Sequence, residues 1–410
     1  MKLLQVDTVA QAREKLKQAL QGQEVKTRRI PVRETLGKVL AEDVYAAEDV
    51  PGFDRSTVDG YAVRSADTSG ASESLPTFLE ITGEVEMGGA PAHGIGPGEC
   101  MYIPTGGMLP LGADAVVMVE YCELFSDTEA AVYASVPSGG NIVRRGDDLR
   151  KGEAALLKGT VLRPQEIGLL SALGRQTVKT VKPWGITIIS TGDELIPSDG
   201  EMSPGKVRDI NTHCLQAAAR KAGLEIRGSY VLRDERELLR RTVQNAMEES
   251  DIVAVSGGSS KGRKDETASV ISELAGGELL TQGLALKPGK PTILGYDGAT
   301  ETILLGLPGH PAAAMIVFQL LIGWLWEDRS GQRPSWPVPA SLTVNIPAAP
   351  GRAVCQTVRL VADRDGTRKA VPVFGRSGLI STLTEADGYI MIPENKEGLK
   401  KGETVDVFLL

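Results

Sequence analysis

Apolar residues between positions 186 and 311 fall in short continuous runs that each end in a Gly-rich loop carrying a charge: ITIISTGDEL, DIVAVSGGSSKGRKDE, LALKPGKP and ETILLGLPGHP. Between these runs the apolar spacing changes to a helical period. Asn211 or Thr212 opens a helix ending at Gly223, and Asp234 with Glu237 caps a second one through Leu238, Leu239, Val243 and Met247. Such alternation predicts a doubly wound α/β sheet whose loops converge on one ligand crevice at the strand ends.

The pattern differs on either side. Thr8 to Gln11 reads as a capping box before a helix with Val9, Ala12, Leu16 and Leu20 on one side. After Pro51 come short extended runs (TFLEITGEVEM, GECMYIP, ADAVVMVEYCEL, AAVYASVP) divided by Gly and Pro turns. Residues 142–182 return to mixed strand and helix, with Pro164 placed to start a helix in PQEIGLLSALG, and are expected to rejoin the N-terminal piece. The Pro-rich GQRPSWPVPA leads into SLTVNI, CQTVRLVAD, GYIMIPE and ETVDVFLL, which alternate like a small closed sheet. The predicted fold is therefore multidomain, α/β plus β. Residues 1–50 and 142–182 form a mixed α/β domain, 51–141 a β-rich insertion, 183–330 the central doubly wound α/β domain and 331–410 a C-terminal β-barrel.

Composition agrees. The chain's 410 residues exceed one core at roughly 150 residues per domain. Its 41% hydrophobic and 24% charged residues are globular values. The longest apolar run, residues 312–326, is interrupted by Gln319 and falls short of the roughly 20 residues of a membrane span, so it reads as a buried helix. The charged, amphipathic start has no apolar core of signal-peptide length, which predicts a cytoplasmic protein. Cys100, Cys122, Cys214 and Cys355 form no CxxC pair, and His93, His213 and His310 are scattered, arguing against a disulfide framework and a structural zinc site. A net charge of −8 disfavours a nucleic-acid surface. It does not disfavour a small anion: distant charges are screened over roughly 8 Å, whereas a lysine about 4 Å from a phosphate gains about 4 kcal/mol at an effective dielectric of 20.

The strand-end loops hold the candidate chemistry. In STGDEL, Gly192, Asp193 and Glu194 form either an acidic turn with a tight glycine or a pair of carboxylates that holds magnesium or accepts hydrogen bonds from a base or ribose. In SGGSSKGRKDE, Ser256, Gly257, Gly258 and Ser259 offer hydroxyl and N–H donors of the kind that cradle phosphate. Asp265 stands where a helix through Val270, Ile271 and Leu274 begins, as an N-cap, a ligand contact or both; Lys261, Arg263 and Lys264 are equally consistent with a solvated loop. KPGKP puts Lys287 and Lys290 on a turn stiffened by Pro288 and Pro291, suited to an oxyanion. In LPGHP, Pro308, Gly309 and His310 precede Pro311 at a favoured first helical position; His310 is a cap, a base or a donor. Three further polar loops, FDRSTVDGYAV with Asp54 and Asp59, IPTGGMLPLGAD with Thr105, and NIVRRGDD with Arg144, Arg145, Asp147 and Asp148, exceed what turns alone require.

In order and spacing, FDRSTVDGYAV, IPTGGMLPLGAD, NIVRRGDD, STGDEL, SGGSSKGRKDE, KPGKP and LPGHP resemble molybdopterin molybdenumtransferases, the MoeA family, related to the E domain of gephyrin. The resemblance covers nearly the whole chain, including SGLISTLTEADGYIMIPE. It implies a homodimer of elongated four-domain protomers, with the mixed domain serving as linker and dimerisation element and the β-rich insertion as a lid. The implied reaction inserts molybdate into adenylylated molybdopterin and releases AMP, assisted by magnesium, downstream of a molybdopterin adenylyltransferase as partner. Carried over by position, Asp59, Thr105, Asp148, Glu194 and Asp265 are the polar residues needed for activity, Asp193, Glu194 and Asp265 the magnesium ligands, and Lys287 and Lys290 the oxyanion-binding lysines. Asp59 and Thr105 belong to a different domain from Glu194, so the site is expected to lie between protomers. Three departures bear on the choice between molybdate and tungstate: His310 for the usual asparagine, Ala313 for a frequent serine and Lys261 for a frequent valine; GRAVCQTVR matches loosely, which leaves a role for Arg352 open. Two alternatives share the central domain, namely an ATP-consuming molybdopterin adenylyltransferase and a non-catalytic dimeric scaffold.

Overall fold

The computed structural model describes residues 6–257, 266–332, 336–364, 366–375 and 378–410. The chain divides into two compact units, one comprising residues 29–36 and 40–179, the other residues 1–28, 37–39 and 180–410.

The larger unit contains the first helix, α1 (Val9–Ala19), which begins at the predicted capping box, Thr8 and Gln11 bonding reciprocally. In the smaller unit, β1 (Gly60–Val63), β2 (Thr77–Glu84), β3 (Glu99–Ile103), β4 (Ala115–Met118), β5 (Cys122–Ser126) and β6 (Glu129–Val132) form one sheet in the order β4-β1-β3-β2-β6-β5. Small and β-branched residues dominate the two cores that flank it, among them Val63, Ala115 and Val132 in one and Ala62, Ile103 and Val116 in the other. A separate core gathers Leu40, Val44, Leu156, Leu162 and Leu170, the last from α2 (Pro164–Ala172), with Pro164 at the helix start as predicted.

The larger unit holds the α/β domain. Its strands are β7 (Gly185–Thr191), β8 (Glu225–Leu232), β9 (Ile252–Gly257), β10 (Thr281–Gln282), β12 (Ile293–Asp297) and β13 (Thr302–Leu307), ordered β8-β7-β9-β13-β12-β10. Four are parallel. β12 and β10 are antiparallel additions, because β12 joins β13 through a tight turn instead of a crossover helix. Helices α3 (Asn211–Lys221) and α6 (Pro311–Phe318) contact each other, as do α4 (Arg236–Glu249) and α5 (Glu266–Leu274), the two pairs covering the sheet in doubly wound fashion. The fully buried run of β7 fits a central parallel strand covered on both faces.

Two local expectations are corrected. Asp234 does not cap α4: its side chain accepts from Thr191 Oγ1 (2.7 Å), the N-cap is Glu235 without a side-chain bond, and Glu237 pairs with Arg240 and Arg241. Those two guanidinium groups hold the Glu237 carboxyl down at about 2. The buried helix over residues 312–326 is also not one α-helix, since a π-turn, Gln319–Gly323, separates α6 from α7 (Trp324–Ser330). Arg13 of α1 donates to Leu320 O (2.8 Å) in that turn and, like Lys17, stands over Trp324.

The C-terminal sheet closes as predicted. Strands β14 (Val338–Leu342), β15 (Ala353–Ala362), β16 (Arg368–Pro372), β17 (Gly388–Ile392) and β18 (Thr404–Leu409) pair in a ring, β15-β16-β14-β18-β17 and back to β15, around Leu342, Val358, Ile390 and Val407. One strand of the α/β segment joins it: β11 (Leu286–Lys287) runs parallel to β15, with Lys287 opposite Val354.

Candidate functional site

Register brings the predicted loops together. In the parallel sheet Thr191 lies opposite Gly257 and Ser256 opposite Leu307, so STGDEL, Ser256–Gly257 and LPGHP lie side by side at its carboxyl edge. Close approach requires glycine there. A Cβ on Gly257, whose φ is +119°, would lie 2.1 Å from Thr191 O.

The edge forms a cavity of about 370 Å³ lined by Ser190, Glu194, Asp209, Asn211, Ser256 and His310, among others. Leu195–Ile196 pairs with Val207–Arg208, and this short ladder shapes the acidic loop: Val207 N donates to Glu194 O (2.9 Å) and Lys206 Nζ to Asp193 O (2.6 Å). The side chains of Asp193 and Glu194 are exposed, and Asp193 Oδ1 accepts from Asp234 N (3.2 Å). On the inner wall Ser190 Oγ donates to Asp209 Oδ1 (3.1 Å), which also caps α3 by accepting from Thr212 N (3.2 Å). Asn211 Nδ2 donates to Ser256 Oγ (2.7 Å) and Gly309 O (2.8 Å), tying two strand-end loops together. His310 occupies the N-cap position of α6 with no side-chain capping bond.

A larger cavity of about 740 Å³ adjoins this one: His310 lines both. Its other walls come from KPGKP, α6 and the barrel strand β15, and its lining includes Lys287, Lys290 and Arg352 and, among the described residues, no carboxylate. The turn is rigid. Gly289 adopts a φ of +129° with Val317 and Leu286 packed against it, and Thr292 Oγ1 donates to Gly289 O (2.6 Å). Cys355 also lines the cavity, but burial pushes its thiol well up, so it presents no thiolate.

In the smaller unit the three polar loops meet one another. Thr105 N donates to Asp59 Oδ1 (2.7 Å), Gly106 N to Ser56 O (2.8 Å) and Arg145 N to Asp54 Oδ1 (2.7 Å), while Ile142 pairs with Ser56. Arg145 Nε also bonds Asp49 Oδ2 (2.7 Å), and Asp148 follows in the same loop with an exposed side chain. Gly60, next to Asp59, packs so tightly that a Cβ would lie within 1.9 Å of Val117 O.

Gly258, Ser259, Lys261, Arg263, Lys264 and Asp265 lie outside the described residues. Among the described residues no group of three His, Cys, Asp or Glu side chains is placed to hold a metal. The pair Asp193 and Glu194 still suits magnesium, which retains several waters and takes only one or two carboxylates alongside substrate phosphates. Sequence reasoning missed the inner wall. Asn211 read only as a helix start and Asp209 not at all, because nothing in a short polar stretch distinguishes a cap from a cavity wall until the loops are folded.

A doubly wound domain with a turn bearing two lysines, carrying a β-barrel and accompanied by a β-rich unit with its own polar loops, defines a multidomain protein of the molybdopterin-binding type. Residues 7–174 match the model of the MoeA N-terminal region (domain I and II), residues 187–326 that of a probable molybdopterin binding domain, and residues 339–410 that of the MoeA C-terminal region (domain IV). The chain is 32% identical over 390 residues to the molybdopterin molybdenumtransferase of Bacillus subtilis, covering 93% of this chain and 89% of that one. It is 30% identical to that of Staphylococcus aureus, covering 93% and 90%. The solved molybdopterin biosynthesis MoeA protein of Pyrococcus horikoshii superposes with a TM-score of 0.82 at 31% identity, covering 99% of this chain and 100% of that one. The chain belongs to the MoeA family.

Proposed function

We infer that this chain is a molybdopterin molybdenumtransferase of molybdenum cofactor biosynthesis, taking molybdate and adenylylated molybdopterin and releasing AMP with the finished cofactor. The observation that carries the reading is the pair of adjoining cavities, one with carboxylates and hydroxyls, the other lined by lysines and an arginine without an acid. Lys287, Lys290 and Arg352 neutralise the metalate and the substrate's phosphates, each acting at close range, where Coulomb attraction to a bound anion exceeds that of distant charges. Ser256 orients the substrate from the strand edge. Asp193 and Glu194, with Asp265, would hold magnesium, which when bound polarises the phosphoanhydride for cleavage. Free cysteines at Cys100, Cys122, Cys214 and Cys355 suit a reducing, cytoplasmic compartment. No helix of the described residues is long and apolar enough to cross a membrane.

AMP release from adenylylated molybdopterin should require molybdate and be raised by magnesium, and Glu194→Gln should slow it about tenfold or more. ATP consumption in place of that release would indicate an adenylyltransferase, the class we assign as the upstream partner; neither activity would indicate a scaffold. Undiminished release by the Glu194→Gln protein would remove Glu194 from the mechanism.

We further propose a homodimer in which Asp59, Thr105 and Asp148 of one protomer serve the reaction together with Glu194 and the lysine pair of the other. Each singly inactive chain then retains half of what a site needs. Mixed dimers of an Asp59→Asn chain with a Glu194→Gln chain should therefore regain up to about a quarter to a half of the wild-type rate, as symmetry of a two-site dimer allows. No recovery in verified heterodimers would rule the shared site out.

A further inference from the structure

The larger cavity exceeds what the anion drawn to its lysines would fill. Cavities of about 300–1000 Å³ enclose whole small molecules, and in one of about 740 Å³ a tetrahedral oxyanion takes up only a small part. The cations gather at one end. Lys287 lies opposite Val354 where β11 pairs with β15, Lys290 follows in the same turn, and Arg352 immediately precedes β15. From Val354 the strand runs on to Thr357, whose carbonyl accepts from Val373 N (2.9 Å). Phe374 comes next, and it too lines the cavity. At about 3.3 Å per strand residue, this aromatic end stands roughly 10 Å along β15 from the lysine end.

A single exposed phenylalanine needs no explanation, but one fixed on a cavity wall does. Phe374 is 63% exposed, and among the described residues no other ring packs on it. Its backbone is held on both sides. Val373 O accepts from Gln356 Nε2 (2.8 Å) and Thr357 Oγ1 (3.1 Å), and Gly375 packs so closely on Thr382 that a Cβ there would come within 2.2 Å of Cγ2. An open ring on a fixed backbone is preorganised for stacking. We propose that Phe374 is the stacking platform for the pterin of the substrate, whose metal-binding sulfurs then point toward Lys287 and Lys290. The link is covalent: molybdopterin carries its dithiolene on the ring fused to the pterin, so the cavity that receives the metalate also receives the pterin. The phosphates pass His310, which lines both cavities, toward Glu194, and the adenosine lies beyond them. This inference rests on the substrate assignment above and adds to it a binding residue and a direction for the bound substrate.

Anaerobic calorimetric titration of the full-length protein with molybdopterin and, separately, with AMP tests this. Phe374→Ala and Phe374→Leu should each weaken molybdopterin about tenfold or more, within the range that losing one stack on an aromatic side chain produces, while Phe374→Trp should stay within about threefold of the wild type. AMP lacks the pterin and should bind all three variants as it binds the wild type. The melting temperature should not move, because the side chain is exposed. In turnover, KM for adenylylated molybdopterin should rise in the Ala and Leu variants while KM for molybdate stays. Undiminished molybdopterin binding by Phe374→Ala, or a leucine that serves as well as phenylalanine, would overturn the stack. Weakening of AMP in step with molybdopterin would put the adenine on this ring and overturn the direction. A wild type that binds no molybdopterin would overturn the substrate assignment, and the proposal with it, before any variant is compared.

Discussion

A chain carrying Lys287→Met and Lys290→Met together should lose about 1000-fold or more in kcat/KM for molybdate, the scale reached when preorganised charge is removed from an oxyanion site. The geometry supports a large effect. Both ammonium groups project from one turn into a cavity whose described lining residues include no carboxylate to neutralise them, with Arg352 as a further cation among those residues. An ammonium about 4 Å from a unit negative charge contributes roughly 4 kcal/mol at an effective dielectric of 20, so losing two exceeds what any hydrogen bond in the site supplies. Stability should be unaffected. Both side chains are exposed, and the bonds that shape the turn involve backbone: Leu284 N and Thr292 N donate to Lys290 O at 3.0 and 2.9 Å. Titration of AMP release against molybdate, with melting curves alongside, checks both points. If kcat/KM for molybdate falls by less than about tenfold while the fold is intact, the anion is held elsewhere.

The same turn shows what could be read before folding and what could not. That LALKPGKP presents two lysines on a rigid bend follows from Pro288 and Pro291 in the sequence. That the strand leading into the bend would join the barrel, pairing Lys287 with Val354, does not: a two-residue strand gives no periodicity, and its partner lies far along the chain. The long, fully buried strand β7 of the α/β domain, and outside that domain the starts of α1 and α2, were legible because local rules suffice for them. The antiparallel additions β12 and β10 were not, since apolar runs look alike whichever way they pair. Asp234 failed as a predicted cap for a related reason. A carboxylate beside a helix start caps it only when no other donor engages it, and the Asp234 carboxylate accepts from Thr191 Oγ1. The polar loops around Asp59, Thr105 and Asp54 were recognisable by their excess of polar residues over turn requirements; the bond from Thr105 N to Asp59 that unites two of them came only with the fold.

The carboxyl edge of the sheet is also where the fold tolerates least. Gly257→Ala should destabilise the chain by about 3 kcal/mol or more, from a conformation near the range open only to glycine and from overpacking against backbone. Its φ of +119° and the 2.1 Å approach of a Cβ to Thr191 O act together, and the clashing atoms belong to the main chain of two hydrogen-bonded central strands, so no side chain can swing away. At roughly 2–4 °C per kcal/mol for domains of 150–250 residues, the melting temperature of the larger unit should drop by about 6–12 °C. Gly192→Ala, one residue beyond Thr191, offers the contrast. There a Cβ meets only the Glu194 carboxylate, at 2.8 Å, and that carboxylate is the free end of an exposed side chain. It should give way at little cost to stability but leave the position in which we propose that it serves the reaction. Calorimetry and AMP release measured on both variants therefore separate two roles of one edge: Gly257 keeps β7 and β9 in register, and Gly192 leaves room for Glu194 to lie where its proposed role requires. A Gly257→Ala protein melting within about 2 °C of the wild type would mean that the two strand ends are not held this close, and the cavity built on their register would have to be redrawn.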